Sequence, residues 1–432
     1  MVGGTEPRQT GKVGFSLVSG AVPWTLGLLA VASLVGSLAG RRPGWPARLP
    51  LEAAITAVLT GLLGFALRRT GLLRDHFPPS FYLWVGLGVL VAVMAVAEWK
   101  GRRWWHRAVS LVAVAATVAL AGVLINLHYA YYPTVAALLG RQASDQASPG
   151  QMGRALVQAE ATGQLPARGQ VVTVDFPTAA SGFHARSGLV YLPPAWFARP
   201  RPVLPAILML AGSPGQPADW TRGGGADQAA DRFAAAHGGF APILVFADQN
   251  GSVLGDTECV DGPRGRADTY LAVDVRPYVI SIYGASPDPA RWGVAGLSEG
   301  GTCALTLTLR HPDLFHAFGD FSGGLAPSLG GRADTLKHLF GGSTDAQRAS
   351  DPLTILAHRP VAGLAAWFEA GVDDVRARAA AETLAAAARA AGVDTHLGTD
   401  RGGHAFTFWA AAFNAALPWL AAHLGLGTPP AR

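Results

Sequence analysis

Three short stretches in the last third of the chain hold residue types that together can move a proton and attack a carbonyl carbon. They are GLSEGG around Ser298, GVDD with Asp373 and Asp374, and DRGGH ending in His404. A serine hydroxyl is a weak nucleophile at neutral pH and needs a base, and the base needs a carboxylate to hold its tautomer and stabilise its cation. The glycine frame of Ser298 proves little alone. With 54 glycines and 19 serines in 432 residues, G-x-S-x-G arises by chance roughly 0.3 times in such a composition.

Context raises its weight. The β-prone RWGVAG runs into Ser298 and the helical GTCALTLTLR follows at once. A nucleophile elbow needs this strand, turn and helix, with small residues at Gly296 and Gly300 because the turn is tight. The alternative is a serine capping a helix. In the order serine, acid, histidine, the base must follow Ser298. His311, His316, His338, His358 and His423 fall in or beside predicted helices, and His396 falls in a predicted strand. His404 instead ends a loop after the last strand, where Gly402 and Gly403 free its aim. The acid is expected in the loop after GLAAWFEA. Asp374 is favoured and Asp373 is the alternative, whichever is left over capping the next helix; Glu369 lies inside the strand. A tetrahedral intermediate also needs backbone donors for its oxyanion. The amides of Glu299 and of Ser213, in the loop after LMLAG, are the candidates, since Pro214 has no N–H.

The elements that must position these groups repeat as β-α units from residue 170. An antiparallel pair is expected at 170–176 and 187–192, followed by strands at 205–210, 242–247, 291–296, 317–321, 363–370 and 395–399. Helices are expected at 227–236, 269–283, 301–310, 374–391 and 404–424. Such alternation predicts a mostly parallel sheet covered on both faces, with active groups on loops past the strands' carboxyl ends.

The first third reads differently. Only 15% of the chain is charged, against a typical quarter. Four apolar runs, at 17–39, 51–67, 81–97 and 108–127, are each about long enough for a membrane-crossing helix. Trp24, Trp45, Tyr82, Trp84, Trp99, Trp104 and Trp105 lie near their ends, where interfacial aromatics belong. With both ends outside, the inner loops would hold seven basic residues: Arg41, Arg42, Arg48, Lys100, Arg102, Arg103 and Arg107. The opposite topology gives five: Arg8, Lys12, Arg68, Arg69 and Arg74. The balance predicts a multi-pass protein of the cell membrane with an extracytoplasmic C-terminal domain. The expected organisation is four transmembrane helices over 1–127, a neck over 128–169 with a short helix at 155–161, and a catalytic domain over 170–432. Cys259 and Cys303 would close a disulfide in an oxidising compartment, or remain as two buried thiols. The basic residues of the loops account for much of the net charge of +5, and no motif for nucleic acid is present. Gly223–Gly225 lacks the lysine of a phosphate loop, and no metal-ligand pattern or cofactor motif stands out.

On LAGSPGQPADW, FADQNG, GLSEGG, the GVDD loop and GGHAFTFW, residues 170–424 resemble the putative esterase family, which includes esterase D and the antigen 85 mycolyltransferases. The resemblance implies an α/β-hydrolase fold and ester hydrolysis through Ser298, an acid and His404, or acyl transfer to a sugar or glycerol acceptor. Ala211 departs from the histidine many members carry there. The chain as a whole resembles actinobacterial membrane-anchored esterases, some of which act on aminoacylated lipids. Asp248, Glu299 and the acidic DTECVDG (256–262) suggest a site mouth suited to an amine-bearing acyl group; caps and loop hydrogen bonds are the plainer reading. The expected partners are therefore the lipid bilayer and an ester substrate. The remaining alternative is a membrane protein with a relic, non-catalytic hydrolase domain.

Overall fold

The computed structural model describes residues 15–39, 41, 44–69, 79–97, 99, 103–132, 134–138, 147–359, 361 and 363–427. The chain divides into two compact units near residue 142.

In the first unit, helices α1 (Ala21–Ala39), α2 (Leu49–Arg69), α3 (Pro79–Ala97) and α4 (Trp104–Tyr129) stand where the four apolar runs were read. Helix α4 packs on α1 and α3, and α3 on α2. Small residues make the close contacts: Ala30, Ala113 and Ala116 are buried, and a Cβ on Gly88 would lie 3.1 Å from the Thr117 hydroxyl. Large apolar side chains such as Leu28, Val58, Leu62, Phe65 and Val118 face outward. Among the described residues two helices, Trp45–Ala66 and Trp104–Tyr129, are long and apolar enough to cross a membrane. The apolar stretches Ala21–Gly36 and Tyr82–Ala97 are shorter, so four crossings are an expectation that length alone does not meet. Arg41, counted above as a loop charge, is buried and pairs with Glu52 at 2.5 Å. Arg8, Lys12, Arg42, Arg74, Lys100 and Arg102 lie outside the described residues.

The second unit opens with the helix Pro149–Thr162, whose Ser148 and Gln151 form a reciprocal capping box. Eight strands follow: β1 (Gln170–Val174), β2 (Gly188–Leu192), β3 (Ala206–Leu210), β4 (Ile243–Phe246), β5 (Trp292–Leu297), β6 (Ala317–Phe321), β7 (Ala365–Gly371) and β8 (Asp394–Asp400). They form one sheet in the order β1-β2-β4-β3-β5-β6-β7-β8. The pairs β1/β2 and β2/β4 are antiparallel and all others parallel. Strands β2 to β7 are buried throughout, because helices cover both faces and continuous apolar runs replace alternation. The helices Ala226–Ala236, Glu299–Arg310, Val375–Ala390 and Phe406–Ala421 fall close to expectation. The helix expected at 269–283 is interrupted by a wider turn over Tyr270–Val275. Cys259 and Cys303 are joined in a disulfide, which ties the loop after β4 to the helix that follows Ser298.

Candidate active site

Strand β5 ends at Leu297 and the next helix starts at Glu299, so Ser298 alone makes the turn, with φ 56°. A Cβ on Gly296 would lie 1.8 Å from the Gly300 carbonyl oxygen, and one on Gly300 would lie 2.3 Å from those of Leu210 and Ala211. Glycine is therefore required on both sides. Ser298 occupies the helix N-cap position, yet its hydroxyl makes no cap hydrogen bond. It pairs instead with His404 Nε2 at 2.8 Å. His404 Nδ1 meets Asp374 Oδ2 at 2.6 Å.

The loop after β7 places the two aspartates differently. The Asp373 amide donates to the Gly402 carbonyl at 3.0 Å, which zips the acid loop to the histidine loop and leaves Asp374 facing the ring. Asp374 Oδ1 also accepts the Ala377 amide at 3.3 Å, so the side chain that meets the ring also caps the following helix. Burial alone would push the Asp374 carboxyl up. The His404 hydrogen bond and charge, the Ala377 amide and the Ser322 hydroxyl outweigh it and hold the carboxyl below its usual range. Trp409 packs edge-on to the His404 ring, with centroids 4.9 Å apart.

The loop after β3 lies against Ser298: a Cβ on Gly212 would be 3.2 Å from Ser298 Cβ. Ser213 follows, its hydroxyl donating to the Gly255 carbonyl at 2.7 Å. The Ser213 amide belongs to this loop, and that of Glu299 is at the first helical position after Ser298.

Of the acidic residues expected at the mouth, Asp256, Glu258 and Glu299 come together, with carboxylate oxygens within 4.8 Å of one another. Asp248 does not join them. It is fully buried and held by Arg186 through Nε at 2.9 Å and Nη2 at 2.6 Å. Glu299 Oε2 accepts from Gln249 at 3.1 Å and Asn250 at 3.0 Å. Nothing in the local spacing of FADQNG marks its amides for this role. Arg186, Ser322 and Asp320 were not singled out either, since nothing in their local spacing marks them. Asp320, fully buried, accepts the Gly323 amide at 2.7 Å, and its carboxyl is pushed up to about 7 by burial. His311 pairs with Asp268 and His396 stacks on Trp367.

Residues 184–420, more than half of the chain, match the family described as putative esterase. The chain belongs to the putative esterase family. An uncharacterized protein of Corynebacterium glutamicum is 34% identical over 369 residues, covering 82% of this chain and 84% of its own. That alignment is longer than the esterase match and so takes in part of the helical region of this putative esterase. A solved ferulic acid esterase superposes with TM-score 0.52 at 22% identity, covering 59% of this chain and 98% of its own. An S-formylglutathione hydrolase from Agrobacterium tumefaciens covers 61% and 98% with TM-score 0.48 at 19% identity. Mycobacterium tuberculosis MPT51 covers 58% and 99% with TM-score 0.42 at 18% identity. At such identities the first superposition speaks for the shared α/β-hydrolase fold alone.

Proposed function

We propose that this putative esterase is a serine ester hydrolase with Ser298 as nucleophile, His404 as general base and acid, and Asp374 as the supporting carboxylate. The observation that carries the reading is the hydrogen-bonded chain Ser298–His404–Asp374, at 2.8 and 2.6 Å. Ser298 Oγ attacks the ester carbonyl carbon while its proton passes to His404 Nε2. The oxyanion rests on the amides of Glu299 and Ser213. Collapse expels the alcohol, which takes the proton from His404 and leaves an acyl-serine. Water, deprotonated by His404, then attacks the acyl carbon and releases the acid, and Ser298 recovers its proton. An alcohol acceptor in place of that water would turn the same cycle into acyl transfer, a reading in keeping with the family. Addition of glycerol or trehalose tests it through transesterified product.

The site's setting favours a lipid ester. Val253 and Leu254, Leu325, and Val372 and Val375 expose apolar side chains on the loops after β4, β6 and β7, at the same sheet end as Ser298. The outward-facing apolar helices suit a membrane anchor. The disulfide suits an oxidising, extracytoplasmic compartment, which agrees with the orientation derived from the loop charges. The buried carboxylates of Asp256, Glu258 and Glu299, the last of them on the residue after the nucleophile, favour an acyl group bearing an amine, as in an aminoacyl ester.

Hydrolysis of p-nitrophenyl acetate and butyrate by the detergent-purified protein tests the nucleophile. Ser298→Ala is expected to fall to background and to lose labelling by a fluorophosphonate probe; equal rates would refute the assignment. The amine preference is tested by alanyl- against acetyl-glycerol esters. Glu299→Gln should lower the first more than the second, and an unchanged ratio would sink it.

A further inference from the structure

Ser322 is the first residue past β6, and three backbone contacts lock it between the nucleophile strand and the acid strand. The Phe321 carbonyl accepts the Ser298 amide at 2.9 Å, and the Ser322 amide donates to the Glu369 carbonyl at 2.9 Å. The Gly323 amide is held by the Asp320 carboxylate at 2.7 Å. This short turn gives Ser322 a φ of 62°, a left-handed conformation that disfavours any residue with a Cβ by about 1 kcal/mol or more. Glycine would meet no such penalty, and glycines occupy the next two positions. The serine side chain is therefore retained at a position whose backbone prefers none. It is buried, and its hydroxyl makes no hydrogen bond of regular geometry. The Asp374 carboxylate is near enough for the hydroxyl to favour its charged form. Asp374 already holds His404 with one oxygen, while its other takes only the long Ala377 contact of 3.3 Å.

We propose that Ser322 is a positioning residue for the triad: its hydroxyl, presented by the left-handed turn after β6, donates to Asp374 and fixes that carboxylate against His404. The proposal rests on the reading of Ser298, His404 and Asp374 as the triad. Ser322 acts through Asp374. A carboxylate held by a further donor rotates less, and its partner imidazole keeps the tautomer that can accept the serine proton. As the alcohol leaves and the acyl-serine hydrolyses, the Ser322 proton stays on its own oxygen.

Backbone relief and hydroxyl loss act in opposite directions here, so one substitution separates them. In the full-length protein, Ser322→Gly is expected to keep or raise Tm while kcat for p-nitrophenyl butyrate drops about tenfold with KM unchanged. Ser322→Ala retains the strained Cβ and should show the same kcat loss without the gain in Tm. Ser322→Thr restores a hydroxyl and should recover part of kcat. In an Asp374→Ala background, Ser322→Gly should have no further effect on kcat. Parental kcat in both Ser322→Gly and Ser322→Ala would overturn the proposal, as would an undiminished loss in the Asp374→Ala background. Failure of the underlying triad reading is distinct: Asp374→Ala would itself keep parental kcat.

Discussion

Asp374 binds the His404 ring and caps the helix Val375–Ala390, whereas Asp373 contributes its backbone amide. The division predicts unequal outcomes for two adjacent and chemically identical side chains. Asp374→Asn should lower kcat by up to about 10⁴-fold by presenting the wrong partner to the imidazole, while Asp373→Asn should stay within a few-fold of the parent in the same steady-state assay. Comparable losses in both would mean that the loop, not one carboxylate, is what matters. The depressed Asp374 carboxyl also contributes to stability. Because the folded state binds its proton less tightly than the unfolded chain does, the contribution is present above the ordinary carboxylate range. It is lost as pH falls through the lower, folded value.

At the scale of the element, the site depends on two tight turns after adjacent parallel strands. The β5 turn carries Ser298 and the β6 turn carries Ser322, both non-glycine residues at positive φ. The second turn is tied by Asp320, whose carboxyl is pushed up to about 7. Here the sign is opposite to that of Asp374. The folded state holds the Asp320 proton more tightly than the unfolded chain, so stability from this group is full below about pH 4. It declines as pH rises towards 7, the folded value. Asp320→Asn keeps an acceptor for the Gly323 amide without the charge. Its Tm relative to the parent should therefore climb by several degrees between pH 4 and 7 and level off above; a constant difference across that window would show that Asp320 does not titrate there.

For the whole molecule, apolar side chains are exposed at the site's end of the sheet and, in the other unit, on the N-terminal helices, as the proposed hydrolysis of lipid esters would require. Val375 is 63% exposed and Val253 52%. Leu254→Ser combined with Leu325→Ser should leave p-nitrophenyl acetate turnover near the parental rate. Hydrolysis of a diacylglycerol-type ester in nanodiscs should fall several-fold. Equal changes in the two rates would assign these residues to the structure of the site and not to lipid access.

Much of this was readable in the chain itself, where the relevant forces are local. A six-residue strand, a glycine-framed turn and an apolar helix must follow one another at Ser298, because only glycine fits at Gly296 and Gly300. Apolar runs likewise mark strands β2 to β7, whereas the edge strand β8 is largely polar, and the histidine loop is marked by Gly402 and Gly403. What spacing could not decide were contacts made across the sheet. The choice of Asp374 over Asp373 depends on a backbone bond to Gly402. The removal of Asp248 from the acidic group depends on Arg186, 62 residues earlier. Ser322 gains its place only because β5, β6 and β7 lie side by side and bring their carboxyl-end loops to one point. Periodicity and turn chemistry act within a few residues and so are written along the chain. The partner of a buried polar group is set by which strands become neighbours, and that is decided only when the whole core packs.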